Sequence, residues 1–179
     1  MKVTPTKLEG VLILEPTVFG DERGYFMETY NQRVFAEAGI HAVFVQDNQS
    51  LSRKGILRGL HFQTGEHAQA KLVRALSGRV LDVTVDLRPG SPTYGQHVAV
   101  ELSEENRKQM YIPRGFAHGF IVLSDEAVFS YKCDNFYNKA AEGGVRYNDP
   151  ALGIDWQLPA EMIQVNERDA TFPLLAELA

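Results

Sequence analysis

Two segments of the chain, GILRGLHFQ and PRGFAHGF, carry histidines at positions suited to chemistry in a β-sheet. They place His61 two residues before Gln63, and His118 further along the chain. Side chains two apart on a strand share a face, so a metal-binding strand would need a second imidazole where Gln63 stands. An amide is a poor ligand for a transition metal. A metal site of His61, His118 and either His67 or Glu66 is therefore the less favoured interpretation, and we expect no metal and no cofactor.

Further titratable side chains stand at positions flanked by apolar residues, and buried ionisable groups are costly unless they are paired or used. They are Arg58, Lys71, Asp82, Asp86 and Tyr131. A histidine, a lysine and a tyrosine that converge suit proton transfer next to a carbonyl group. The imidazole removes the proton, the ammonium stabilises the enolate oxygen and the phenol returns a proton. The competing interpretation is that each side chain only packs or faces solvent.

Short strands are the elements that would position these side chains. In RVLDVTVDLRPG, leucine and valine alternate with aspartate and threonine from Leu81 to Leu87, which predicts a half-buried strand with a polar face before a Pro-Gly turn. Similar short runs, separated by Gly, Pro, Ser and Asn, predict a sandwich or barrel. They occur at residues 11–14, 42–45, 56–63, 70–76, 97–102, 110–112, 117–123 and 127–131.

One helix is predicted near the start of the chain. Asn31 is suited to cap it, Val34, Phe35 and Ala38 fall on one face, and Gly39 is suited to end it. After residue 140 the chain contains Gly-Gly, Asn-Asp-Pro and proline turns, which predict loops and one short helix wrapped over the strands.

The composition predicts a single domain, residues 1–179, that acts on small molecules. A chain of 179 residues fits one core, 44% of the residues are apolar, and the net charge is −5. A negative charge opposes nucleic-acid binding, since a surface that tracks phosphates needs a basic excess. No apolar stretch approaches the roughly 20 residues needed to cross a membrane, and a single cysteine, Cys133, cannot form an internal disulfide. We therefore expect a cytoplasmic protein with no nucleic-acid or membrane partner.

The two histidine segments resemble the two halves of the cupin signature, and longer stretches resemble one family closely. VFGDERGYFMETYN, FVQDNQS, GILRGLHFQ, AKLVRALSGRVLDVTVDLR, SPTYGQ and YIPRGFAHGF occur in the order and spacing of the dTDP-4-dehydrorhamnose 3,5-epimerase family. The resemblance extends from about residue 11 to residue 156. It implies an all-β, cupin-type jelly-roll barrel with short peripheral helices, assembled as a homodimer without metal.

The resemblance also implies an activity. Members of the family invert carbon 3 and carbon 5 of dTDP-4-dehydro-6-deoxy-D-glucose, giving dTDP-4-dehydro-L-rhamnose in dTDP-L-rhamnose biosynthesis. By position in the matching motifs, His61 is the proton acceptor, Tyr131 the proton donor and Lys71 the positive charge near the carbon 4 carbonyl. Asp169 matches the carboxylate that pairs with His61, and Asp82 is an alternative partner from a core strand.

Substrate contacts are implied at further positions. They are Arg23, Phe26, Glu28, Gln46, Asp47, Asn48, Arg58, His118, Tyr137, Glu142 and Arg168, the last standing where the family often has lysine. An arginine suits a diphosphate, and Tyr137 matches an aromatic residue that stacks on the base. Strand alternation would put Arg58 on the face opposite His61, unless Gly59 introduces a bulge.

Three alternative functions share most of these residues. The first is an epimerase that inverts only carbon 3 or only carbon 5, and the second is a 3,4-ketoisomerase acting on a related dTDP-deoxysugar. The third is a non-catalytic cupin that binds a small ligand, in which His61 and Tyr131 would be packing or binding groups. Residue identity does not separate these alternatives, but product stereochemistry and isotope exchange do.

Overall fold

The structure is a computed structural model, and it describes residues 1–178. Its strands are β1 (Lys2–Pro5), β2 (Leu12–Glu15), β3 (Val18–Asp21), β4 (Gly24–Met27), β5 (Gln46–Arg53), β6 (Leu57–Gln63), β7 (Lys71–Ser77), β8 (Arg79–Asp86), β9 (His97–Ser103), β10 (Gln109–Ile112), β11 (Phe116–Val122), β12 (Glu126–Cys133) and β13 (Glu142–Gly144). The helices are α1 (Gln32–Glu37) and α2 (Glu167–Ala170), and short 3-10 turns occupy Gly65–His67, Lys139–Ala141, Ala160–Met162 and Leu175–Glu177.

The strands form two antiparallel sheets and a separate hairpin. One sheet has the order β1-β2-β10-β7-β12-β5, the other has the order β13-β6-β11-β8-β9, and β3 pairs with β4 alone. A shared apolar core lies between the two sheets, with Val73 and Phe129 from the first packed among Val80, Leu102 and Phe120 from the second. This confirms the all-β jelly roll with short peripheral helices.

Strand β8 corrects the prediction of a half-buried strand. Its aspartates and threonine, which form the predicted polar face, are fully buried: Asp82, Thr84 and Asp86 are each 0% exposed. They lie on the face that includes Val80, towards the core between the sheets, while Leu81 and its neighbours on the other face pack against the C-terminal segment. Alternation shows that a strand has two different faces, but it does not show that a lumen rather than solvent receives the polar one.

The helix prediction is confirmed, and one strand prediction is wrong. The Asn31 side chain caps α1 by accepting hydrogen bonds from the backbone N–H of Arg33 and of Val34, and Gly39 follows the helix with φ of +82°. Residues 42–45 form no strand. The polar segment from Gln46 does so instead, because it pairs along the whole of β12, and pairing outweighs the composition of the segment.

The C-terminal segment behaves as predicted. It is mostly irregular, with α2 as its one α-helix within the described residues, and it covers the outer face of the five-stranded sheet. Trp156 lies in this layer and its indole N–H donates to the Tyr147 carbonyl at 2.9 Å. The layer matters for function because it delivers α2 to the mouth of the lumen.

Candidate active site

A cavity of about 230 Å³ lies between the two sheets, and side chains from both reach it. His61 on β6 and His118 on β11 come from the five-stranded sheet, whereas Lys71 on β7 and Tyr131 on β12 come from the six-stranded sheet. The remaining lining residues are Gln49, Ser50, Arg58, Phe120, Phe129, Glu142, Asn166, Arg168 and Asp169. The histidine, lysine and tyrosine named from the sequence therefore meet in one cavity, with His61 and Tyr131 on facing sheets.

His61 is paired with Asp169, not with Asp82. The His61 Nε2 atom lies 2.9 Å from Asp169 Oδ1, and the Gly59 N–H donates to Oδ2 at 3.0 Å. Helix α2 holds the carboxylate in place, because its cap Asn166 accepts a hydrogen bond from the Asp169 N–H at 2.7 Å. The two partners are 108 residues apart in sequence, and the C-terminal segment brings them together.

The surroundings of Asp169 keep it ionised. Its burial raises the pKa, but the hydrogen bond and charge of His61, the Gly59 N–H and the charge of Arg168 together hold the pKa below its usual value. Two groups contact His61 Nε2: Asp169 Oδ1 at 2.9 Å, which only accepts hydrogen bonds, and Arg168 Nη2 at 3.2 Å, which only donates them. The shorter contact favours the tautomer with the proton on Nε2. The free lone pair of the neutral ring is then on Nδ1, and that nitrogen can act as a base.

A second pair of the same residue types lies deeper in the lumen. His118 Nε2 is 2.8 Å from Asp82 Oδ2, and burial lowers the pKa of His118 although Asp82 opposes the shift. The ring is therefore neutral at neutral pH. Asp82 Oδ1 and Thr84 Oγ1 have no hydrogen-bond partner among the described residues. Because His118 is directly opposite His61 in the strand pairing, both rings are on the lumen face.

Lys71 and Tyr131 form the opposite wall. Burial lowers the pKa of Lys71, and neighbouring acidic groups, including Asp82 and Glu142, oppose that shift. Burial also raises the pKa of Tyr131, so its phenol keeps its proton at neutral pH and is suited to donate it. The Lys71 Nζ atom lies 5.9 Å from the centroid of the Tyr131 ring.

Arg58 shares the lumen face with His61 because β6 carries a bulge. Between the His61–His118 and Arg58–Phe120 pairs, β6 advances three residues while β11 advances two. The expectation that simple alternation would separate Arg58 from His61 is therefore wrong, and the bulge proposed at Gly59 is confirmed. Only glycine fits there: its φ is +129°, and a Cβ would lie 2.5 Å from the Gly119 Cα. The Arg58 Nε donates to Ser52 Oγ at 3.0 Å.

The cavity continues past Glu142 into a second compartment of about 130 Å³, which Gln46, Asn48 and Tyr137 line. The Tyr137 hydroxyl donates to Glu142 Oε2 at 2.8 Å, and Arg168 Nη1 donates to the same oxygen at 2.6 Å. Apart from His118 and the acid–base residues, six of the implied substrate contacts lie in the cavity or in this second compartment. They are Gln46, Asn48, Arg58, Tyr137, Glu142 and Arg168.

Four implied contacts do not line the cavity of a single chain. Asp47 accepts from Lys132 Nζ at 2.9 Å and borders a separate depression. Arg23 and Phe26 belong to the exposed β3–β4 hairpin, where Arg23 pairs with Asp21, and Glu28 follows it and accepts from Asn31 Nδ2 at 3.1 Å.

Some residues of the site were missed from the sequence. Asn166, which caps α2 and lines the cavity, has a detectable signal, because asparagine three residues before Asp169 is a helix-start pattern. Phe129 lines the cavity and stacks on Phe120 with ring centroids 4.0 Å apart. It carries no signal beyond its apolar character, which is the same in core and cavity residues.

The residues considered for a metal site have other partners. Within residues 1–178, no group of three or more His, Cys, Asp or Glu side chains is arranged to hold a metal ion. The Nε2 atom of His67 lies 2.9 Å from Asn138 Nδ2. The same part of the chain contains no helix of the length and apolarity that a membrane crossing requires.

The jelly-roll fold, with a histidine–aspartate pair facing a lysine and a tyrosine across its lumen, is the arrangement of a cupin-type isomerase. The family model of dTDP-4-dehydrorhamnose 3,5-epimerase matches residues 5–177 of the chain. The chain belongs to this family.

Individual relatives agree with the family match. The dTDP-4-dehydrorhamnose 3,5-epimerase of Salmonella typhimurium is 54% identical over 176 residues, which cover 98% of this chain and 96% of the relative. The crystal structure of the enzyme of that name from Elizabethkingia anophelis is 57% identical, with a TM-score of 0.95 over 99% of this chain and 97% of that one. A dTDP-6-deoxy-D-glucose-3,5-epimerase from Legionella pneumophila, solved in complex with dTDP-4-keto-L-rhamnose, is 49% identical, with a TM-score of 0.94 over 99% and 96%.

Proposed function

We propose that this chain inverts carbon 3 and carbon 5 of dTDP-4-dehydro-6-deoxy-D-glucose, giving dTDP-4-dehydro-L-rhamnose. The observation that carries the proposal is that His61, paired with Asp169 of α2, lies on the sheet facing that of Lys71 and Tyr131, and that all four residues line one cavity. The names of the relatives, and the sugar nucleotide bound to the Legionella pneumophila enzyme, support the same substrate class.

The first step is removal of a proton next to the carbonyl. His61 takes a proton from carbon 3 or carbon 5, and the electron pair of the broken C–H bond moves into the enolate whose oxygen is on carbon 4. The ring then carries a positive charge that the ionised Asp169 stabilises. Lys71 stabilises the negative oxygen of the enolate. The enolate in turn favours the charged form of Lys71, although burial opposes that charge.

The second step is protonation from the other face. A single base that returned its own proton would restore the original centre, so inversion requires a donor across the sugar. Tyr131 is that donor, because its raised pKa keeps the phenol protonated until the enolate forms. The phenolate and the imidazolium then exchange protons with solvent to restore both groups for the second centre.

The nucleotide occupies the compartment beyond Glu142. Arg58 and Arg168 supply positive charge for the diphosphate, and Tyr137 offers a flat, half-exposed ring to the base. His118, neutral and held by Asp82, is placed to hydrogen-bond the sugar.

A homodimer accounts for three of the four contacts that a single chain does not bring to the cavity. The β3–β4 hairpin exposes Phe19, Tyr25 and Phe26, the last at 68%, so it presents an unusual apolar surface next to Arg23. A second copy that packs on this hairpin would let Arg23, Phe26 and Glu28 reach the cavity of the partner. Sedimentation equilibrium of the wild type tests the dimer. Cytoplasmic location remains a prediction from composition.

Isotope exchange tests the proposed activity. In deuterated water the enzyme is expected to place deuterium at both carbon 3 and carbon 5, because the carbon 4 carbonyl acidifies both protons. Label at one carbon only, persisting at long times, identifies a single-centre epimerase. Movement of the keto group identifies a ketoisomerase, and binding without any label identifies a non-catalytic cupin.

A further inference from the structure

The side chain of Gln63, which stands where a metal-binding cupin would have its second histidine, is tied to the loop that carries Tyr137. It belongs to the same strand as His61, two residues on, and is 8% exposed. Its Nε2 donates to the Phe136 carbonyl at 3.3 Å, and its Oε1 accepts from the Asn138 N–H at 2.7 Å. These two bonds bracket Tyr137 on both sides.

The second N–H of the amide ties the same loop to a neighbouring turn. Gln63 Nε2 also donates to the His67 carbonyl at 2.7 Å, and the His67 ring is 2.9 Å from Asn138 Nδ2. The amide therefore uses both of its donors and its acceptor on backbone groups. Glutamine suits this position for a reason unrelated to metals: it is uncharged, and it can donate to two carbonyls while accepting from one N–H.

The Tyr137 ring itself has few restraints. Its side chain is exposed, and the loop between β12 and the turn at Lys139–Ala141 has no strand partner. The Tyr137 N–H donates to Gln46 Oε1 at 2.9 Å, and its hydroxyl bonds to Glu142. Together with the two Gln63 bonds, these contacts fix where the ring stands relative to β6.

We propose that Gln63 is a positioning residue for the nucleoside end of the substrate, acting through Tyr137. It sets the spacing between His61 and the Tyr137 ring that stacks on the nucleobase. A bound nucleotide therefore places its sugar next to His61. The inference rests on the proposed function, in which Tyr137 meets the base. It assigns Gln63 to nucleotide affinity rather than to proton transfer.

The test compares Gln63→Ala and the nearly isosteric Gln63→Glu with the wild type. Glutamate keeps the acceptor for Asn138 but loses both donors and faces two carbonyls. We expect the Kd for dTDP and the KM to rise by about tenfold in each variant, and kcat to fall by a smaller factor. Gln96→Ala is the matched control, since Gln96 is exposed and lies in a different loop; it should leave Kd and KM unchanged.

A double-mutant cycle separates positioning from general destabilisation. If Gln63 acts through Tyr137, Gln63→Ala in a Tyr137→Ala background should change the Kd for dTDP by less than about twofold. Independent, multiplying effects on Kd would overturn the proposal, as would a lower melting temperature with unchanged Kd. The dTDP titration needs no turnover, so a wild type that fails to epimerise its substrate would refute the proposed function and leave this measurement to stand on its own.

Discussion

The lumen contains two histidine–aspartate pairs that are alike in geometry and different in surroundings. The Nε2 to Oδ distances are 2.9 Å for His61–Asp169 and 2.8 Å for His118–Asp82, and both carboxylates are 0% exposed. The rings differ, since the His61 side chain is 23% exposed and the His118 side chain is 7% exposed. The pairing alone therefore does not decide which histidine can exchange protons with substrate and solvent.

The carboxylates differ as well. Both oxygens of Asp169 have partners, whereas Asp82 Oδ1 has none among the described residues. A carboxylate that is satisfied and ionised can stabilise an imidazolium, which is the state that a base reaches after it takes a proton. A buried ring with a lowered pKa resists that state. These differences in burial and in the partner's hydrogen bonds support the proposal that His61 transfers protons and His118 hydrogen-bonds the sugar.

The largest expected effect comes from replacing the two histidines in turn. His61→Ala should abolish exchange and inversion, by roughly 10²–10⁴-fold or more, because no enolate forms without the base. His118→Ala should lower kcat/KM by about tenfold and leave deuterium exchange detectable, since it removes one hydrogen bond to the sugar. Proton NMR of the sugar in deuterated water measures both. Equal losses in the two variants would show that the pairs do not have different roles.

Tyr131→Phe tests whether the base and the acid are on opposite faces. This variant keeps His61 and Lys71, so deprotonation continues, while the phenol that protonates the other face is gone. An imidazolium that has exchanged with solvent can return deuterium to the original face. We expect inversion to be lost by about 10²-fold and exchange to be slowed less, with configuration retained in the labelled substrate.

The same NMR experiment, combined with product stereochemistry, gives the two rates separately. Parental rates of inversion at both carbons would mean that Tyr131 only packs, and Tyr137 would become the next donor to test. Loss of exchange equal to that in His61→Ala would instead mean that Tyr131 is needed to form the enolate.

Local signals in the sequence predicted the local parts of this structure. Asn31 and Gly39 predicted α1 with its ends, and Gly59 predicted the bulge that turns Arg58 into the lumen. These features depend on capping and on glycine geometry, which are properties of a few adjacent residues. The strand that begins at Gln46 could not be predicted in this way, because it forms by pairing with β12 and not by its own apolar pattern.

The site was predictable only in part for the same physical reason. His61, Lys71 and Tyr131 could be proposed together because each interrupts an apolar strand pattern. The pairing of His61 with Asp169 joins residues 108 apart, so only the family resemblance pointed to it, and Asp82 remained an alternative partner. Sequence alternation also left open whether the polar face of β8 met solvent or lumen, and that distinction determines the character of the His118–Asp82 pair.

The smallest expected effect concerns the pH dependence of stability, and it separates the two pairs without any substrate. Burial places the pKa of His118 below its usual 6.5, despite Asp82; Lys71 and His61 also act to lower it. The unfolded chain therefore binds a proton at this residue at a higher pH than the folded chain does. Its contribution is fully present above pH 6.5 and is lost as the pH falls below that value.

The free energy of unfolding of the wild type, measured in urea, should fall as the pH is lowered from about 7.5 to about 5.5. This range brackets the pKa of an ordinary histidine. In His118→Asn that fall should be shallower, because the variant has no buried imidazole that must stay neutral. His61→Asn should keep the slope of the wild type more closely, since it leaves the buried His118–Asp82 pair in place. The slope of the free energy of unfolding against pH could instead change equally in the two variants, or only in His61→Asn. Either result would contradict the view that burial distinguishes the two pairs.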